Sequence, residues 1–294
     1  MKLKNILKRK PKEQTDSEVN FEATSEITVD KKTLRKFKWA NDHKRRKDRY
    51  IKAANHPGNI IDVVNVNKSY INGNLITPVL KKASFSIKKG EFAMLYGKSG
   101  SGKSTLLNLI SGLDRPTAGH VIVANTNLPY LSDNKLTIFR RKHVSFIFQS
   151  YNLLENITGY DNVETGAYLQ KDASKKINIK ELFKHFDLEE VMNKYPAQMS
   201  GGQRQRISIL RALAKNADII FADEPTGALD EKTALIVLKI LYDINKRYGT
   251  TIVMVTHDSS MAPLAHKIIN VKDGIIDSVT VNPNPVHPDN LALG

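Results

Sequence analysis

The run Gly97-Lys98-Ser99-Gly100-Ser101-Gly102-Lys103-Ser104-Thr105 meets the pattern G-x-x-x-x-G-K-[ST] at every fixed position. No other stretch constrains the fold as strongly. Three glycines let the backbone curl so that consecutive N–H groups point at one anion. Lys103 adds a mobile cation for terminal phosphates. Ser104 can place a hydroxyl on Mg²⁺, and a helix starting there turns its positive end toward the phosphates. The flanks suit this reading. Glu91-Phe92-Ala93-Met94-Leu95-Tyr96 reads as a buried strand, and Leu106, Leu107, Leu109 and Ile110 read as one face of a helix. A chance Gly/Ser-rich turn would lack this strand–loop–helix context.

About a hundred residues downstream, Met199-Ser200-Gly201-Gly202-Gln203-Arg204-Gln205-Arg206 opens a helical pattern with Ile207, Ile209, Leu210 and Leu213 apolar. An apolar strand then ends in two carboxylates, Asp218-Ile219-Ile220-Phe221-Ala222-Asp223-Glu224. Together with the phosphate loop, this set resembles the ATP-binding-cassette (ABC) ATPases, whose signature is LSGGQ; Met199 stands for the leucine. Further motifs of that family follow in order. Gln149 after Phe146-Ile147-Phe148 matches the Q-loop, Gly227-Ala228-Leu229-Asp230 the D-loop, and His257 in Val255-Thr256-His257-Asp258 the switch histidine. Tyr70, 27 residues before Gly97, stands where the family keeps a ring to stack on adenine. The resemblance covers roughly residues 60–280. Leu113-Asp114-Arg115-Pro116-Thr117-Ala118-Gly119 and Phe148-Gln149-Ser150-Tyr151-Asn152-Leu153-Leu154 look like its lipoprotein-release, macrolide-export and cell-division branch.

The resemblance implies an α/β P-loop NTPase with an antiparallel β subdomain and an α-helical subdomain, using ATP and Mg²⁺. It implies that Gly97 through Thr105, Gln149 and Tyr70 hold one nucleotide. Ser200, Gly201, Gly202 and Gln203 close the site of a second cassette, and Asp230 acts across that interface. Ser104, Gln149 and Asp223 are the implied metal ligands. Glu224 is the implied general base, with His257 and Lys103 as its catalytic companions. Each also has a bland reading: Tyr70 as filler near a turn, Asp223-Glu224 as an exposed strand end and His257 as a structural histidine; Arg204 and Arg206 suit either anion binding or a solvated helix face. Tyr151, Leu153 and Leu154 suit either permease contact or subdomain packing.

Composition narrows the rest. With no cysteine among 294 residues, disulfides, thiolate catalysis and zinc–cysteine sites are excluded. No run approaches the roughly 18 apolar residues of a membrane helix, so a membrane-spanning permease would be a separate chain. The basic start Met1-Lys2-Leu3-Lys4 lacks the apolar core of a signal peptide, which suggests a cytoplasmic location, and the resemblance implies a place peripheral at the inner face of the cell membrane. The net charge of +15 is uneven: residues 1–56 hold 17 Lys/Arg against 8 Asp/Glu, a net +9. That extension reads as largely disordered with a charged helix over 31–54. It suits a solvated tail, anionic lipid contact or, less well, nucleic acid.

Residues 57–281 form the expected ATPase domain, with helices at 162–170, 179–186 and 188–195 in a helical subdomain over about 150–205. Asn72-Gly73-Asn74 predicts a hairpin turn, Glu231 to Tyr248 an amphipathic helix, and residues 268–280 a closing hairpin around Asp273-Gly274. Residues 282–294 read as a loose tail. Rival functions are an ABC ATPase that regulates a membrane partner without transport, and a nucleic-acid-associated ABC protein. One phosphate loop and one signature mark a single cassette, which needs a second copy of itself or a related chain.

Overall fold

A computed structural model describes residues 27–35 and 54–291. A six-stranded sheet forms the centre, in the order β11-β10-β4-β9-β8-β7. Its strands are β4 (Phe92–Tyr96), β7 (Val144–Phe148), β8 (Ile219–Asp223), β9 (Thr251–Thr256), β10 (Lys267–Lys272) and β11 (Ile275–Val281). All neighbours pair in parallel except β10 and β11, the hairpin at Asp273-Gly274. The run Phe92-Ala93-Met94-Leu95 is apolar throughout because both faces of the sheet are covered. Ala93, Leu95, Phe221, Val253 and Val255 face a core shared with the second sheet. Phe92, Met94, Ala222, Ile252 and Met254 face a core shared with the helices.

The second sheet is antiparallel, in the order β1-β3-β2-β5-β6. Its long hairpin joins β2 (Asn59–Asn72) to β3 (Leu75–Lys88) through a turn where Gly73 has a φ of 60°. Strands β5 (Ala118–Val123) and β6 (Thr126–Asn127) continue it. Strand β1 (Ile27–Thr28) pairs with Ile76 and Leu75, so part of the segment read as disordered adds an edge strand. Residues 31–35 are helical with Leu34 buried; the rest of the 31–54 helix expected from sequence lies outside the described residues.

Among the described residues, and beside the short helical stretch at 31–35, six helices complete the architecture: α1 (Lys103–Ile110), α2 (Asp133–His143), α3 (Gly159–Leu169), α4 (Ile179–His185), α5 (Gly201–Ala214) and α6 (Glu231–Tyr248). Helix α3 starts three residues earlier than its apolar pattern suggests. Thr158 caps it, with Asp161 returning the bond in a capping box. The helix expected at 188–195 is instead a 3₁₀ turn at Glu189–Val191. The N–H groups of Val191, Met192 and Lys194 bond three residues back, to the carbonyls of Leu188, Glu189 and Val191, while the carbonyls of Met192 and Lys194 accept from Tyr160 and Gly159 at the start of α3.

The C-terminal segment also differs from its reading as loose. Val286 N–H bonds to Pro263 O at 3.0 Å, the His287 ring meets Tyr242 edge-on at 5.0 Å, and Asp289 pairs with Lys239. A 3₁₀ turn at Pro288–Asn290, capped by His287, fixes these side chains against α6. Among the described residues no helix is long and apolar enough to cross a membrane.

Candidate nucleotide site

The phosphate loop links β4 to α1 at the centre of the parallel sheet. Two contacts demand glycine there. A Cβ on Gly97, whose φ is 155°, would sit 2.2 Å from Val271 O, and one on Gly102, at φ 105°, would sit 2.9 Å from Leu80 Cδ2. The closing hairpin supports the loop from behind, since Gly274 N–H bonds to Ser101 O at 3.1 Å and Lys81 N–H to Gly274 O at 2.8 Å. Lys103 is buried, and its ammonium donates to Gly97 O at 2.7 Å and Lys98 O at 2.9 Å. This cation therefore stands inside the loop's curl, where an anion held by the backbone would meet it.

A cavity of about 700 Å³ opens in front of the loop, lined by Val79, Lys98, Ser99, Gly100, Gly102, Lys103, Ser104, Thr105, Gln149, Glu224 and His257. That volume suits a nucleotide-sized ligand. Glu224 follows the last residue of β8 in a left-handed conformation, φ 46°, and its N–H bonds to Val255 O at 3.0 Å. The kink aims its carboxylate at the cavity instead of along the strand. His257, just past β9, brings Nδ1 within 3.0 Å of Glu224 Oε1. Gln149, just past β7, packs at Gly227, where a Cβ would lie 3.2 Å from its Nε2.

Asp223 stands behind the cavity wall. Burial first, and then the charge of Glu224, raise its carboxyl above the usual range, while Lys103 pulls it back in part. Its Oδ1 is buried with no hydrogen-bond partner among the described residues. A buried carboxylate oxygen left unpaired, together with the Ser104 hydroxyl and the Gln149 amide that line the cavity, is an oxygen donor set of the kind a hard cation such as Mg²⁺ takes. These residues therefore fit the implied metal.

Other expected residues stand apart from the cavity. Tyr70 is 42% exposed; its hydroxyl donates to Asp114 Oδ2 at 3.0 Å, and Lys68 Nζ lies 4.6 Å from its ring centre. The Thr105 side chain, at the end of the phosphate loop, also comes near this hydroxyl. Ser200 caps α5: its Oγ accepts from Gln203 N–H, and Gln203 Oε1 accepts from Ser200 N–H at 2.8 Å. Asp230 caps α6 through Thr233. None of Ser200, Gly201, Gly202, Gln203 or Asp230 lines the cavity. Leu153 is buried in the helical core, while Leu154 is 49% exposed. Val79 is a lining residue that the sequence did not single out, because a valine inside a strand pattern carries no signal of its own.

Comparison with known proteins places residues 80–227 in the family described as "ABC transporter". A Mycoplasma pneumoniae homologue of the ABC transporter ATP-binding protein MG065 is 44% identical over 261 residues, covering 89% of this chain and 56% of that protein. The chain thus spans little more than half the length of that relative. The "Macrolide export ATP-binding/permease protein MacB" of Haemophilus ducreyi is 42% identical over 227 residues, covering 76% of this chain and 32% of that protein. Among solved structures, the dimeric cassette MJ0796 of Methanocaldococcus jannaschii, in a post-hydrolysis state with ADP and Pi, matches with a TM-score of 0.68. It is 40% identical, covering 75% of this chain and 98% of that chain.

Proposed function

The chain belongs to the ABC transporter family as an ATP-binding cassette, and on that premise we propose that it hydrolyses ATP between two cassettes to drive a membrane permease. One observation carries the reading. Lys103, Gln149, Glu224 and His257, from four separate elements, share one cavity, while Ser200 to Gln203 lie outside it. A second cassette would therefore bring its own signature to close the site. The dimeric state of MJ0796 supports the same arrangement.

In this reading the phosphates lie on the backbone of Gly100 to Ser104, with Lys103 neutralising them. Glu224 accepts a proton from the attacking water, and His257, 3.0 Å away, holds that carboxylate in place. Ser104, Gln149 and Asp223 would hold Mg²⁺, which supplies charge neutralisation on the phosphate oxygens when bound. Tyr70 would close on the base from the loop's edge. The test is Glu224→Gln: ATP binding stays, turnover falls roughly 10²–10⁴-fold, and an ATP-bound dimer accumulates on gel filtration. Near-normal turnover would remove Glu224 from this role.

The likeness to the macrolide-export protein supports a permease of that branch, and with it a position at the inner face of the membrane. The basic stretch Lys31 to Lys52 would add attraction to anionic headgroups, at about 1 kcal/mol for each Lys or Arg near the surface. A chain starting at Pro57 should then bind phosphatidylserine vesicles more weakly than the full chain at low salt. Equal binding by both would refute the lipid contact.

A further inference from the structure

Gln205 is fully buried on α5, five residues past Ser200. Its Nε2 donates to Pro225 O at 2.7 Å, and its Oε1 has no partner among the described residues. A buried amide with one unsatisfied atom is costly in a helix that could carry an aliphatic residue there. The bond it does make reaches the residue directly after Glu224. That short loop is otherwise held by Glu224 N–H to Val255 O at 3.0 Å and Gly227 N–H to Glu224 O at 3.1 Å. Glu224 itself keeps a left-handed φ of 46°, a conformation that a non-glycine residue holds only when its surroundings fix it.

A second contact joins the same two segments. A Cβ on Gly202 would lie 2.4 Å from Thr233 Cγ2, so the first turn of α5 rests directly on Thr233. Thr233 is bound in turn by both carboxylate oxygens of Asp230, at 3.0 and 2.8 Å. Helix α5 therefore grips the stretch from Glu224 to Thr233 at both ends.

We propose that Gln205 is a positioning residue for Glu224, fixing the carboxylate's direction by tying the Pro225 carbonyl to the helix that Ser200 caps. The consequence is a coupling within one chain. Displacement of α5 at its Ser200 end moves Pro225, and with it the carboxylate facing that chain's own cavity. The proposal rests on the reading of Glu224 as general base.

A mutant cycle tests it on the full chain. Gln205→Met keeps the volume and removes the donor. With Glu224 present, kcat should fall roughly 10- to 100-fold, the scale of a misplaced catalytic group, with KM and ATP affinity within about threefold. In the Glu224→Gln background the same substitution should change the residual rate less than about twofold, since no base remains to be aimed. An equal loss in both backgrounds would overturn the proposal, as would an unchanged kcat in Gln205→Met. If Gln205→Met leaves kcat intact while Glu224→Gln abolishes it, the base assignment survives and the positioning role falls. Full turnover by Glu224→Gln alone would remove both. Should Gln205→Met fail to fold, Gln205→Leu, which likewise has no donor for the Pro225 carbonyl, gives the same readings.

Discussion

Lys215 shows how a single burial can write a pH dependence into the molecule. It ends α5, where its ammonium donates to Arg140 O at 2.9 Å and to Val144 O. Burial, and then repulsion from Arg140, lower its pKa from 10.5 to about 8. A lysine lowered on folding is penalised while charged. The penalty is complete below the folded value and absent above the unfolded one, so this group adds stability as pH rises from about 8 to about 10.5. The full term is at most roughly 3 kcal/mol, from the size of the shift. Urea midpoints of the wild type should therefore gain on those of Lys215→Met between pH 7.5 and 9.5; parallel curves would contradict the shift. The sequence could not announce this residue, because a lysine ending an amphipathic helix reads as solvated. Lys103, Gln149, Glu224 and His257 were legible for the opposite reason: chemistry fixes their residue type and spacing, so each stands in a motif. Gln205 sits inside such a motif, yet its role depends on the Pro225 carbonyl, which only folding brings near.

Helices α3 and α5 are in close backbone contact at Gly166, where a Cβ would fall 2.1 Å from Arg211 O; at the start of α3, a Cβ on Gly159 would fall 2.6 Å from Val191 O of the 3₁₀ turn. Gly166→Ala must part the two helices, and overpacking of this kind costs about 1–3 kcal/mol. A thermal melt should show that loss; an unchanged midpoint would mean that the helices separate freely. At this scale the sequence was readable where periodicity was long, as in α6, and where a turn residue was forced, as at Gly73 and Gly274. It misread 188–195, since residues with helical propensity there bond three residues back, in a 3₁₀ turn, where the segment meets the start of α3. It also misread the C-terminal segment, whose prolines mark the absence of regular structure without forbidding its docking through His287 and Asp289. The edge strand at Ile27–Thr28 is too short to leave a pattern.

At the scale of the whole molecule, the separation of the signature from the cavity makes a prediction about pairs of chains. The protein has no cysteine, so Ser200→Cys and Gly100→Cys introduce the only thiols. Combined, they should cross-link between chains, and only with ATP; a link formed solely within one chain would defeat the shared site. The support of the phosphate loop carries a different consequence, one for the birth of the chain. Strand β4, which leads into the loop, lies between β9 and β10, and the loop rests on Val271 and Gly274. All of these are made more than 150 residues after β4. Contacts so distant in sequence close late. A ribosome therefore finishes the phosphate loop long before it supplies the strands that flank it, and the loop gains its support only once the hairpin of β10 and β11 has emerged.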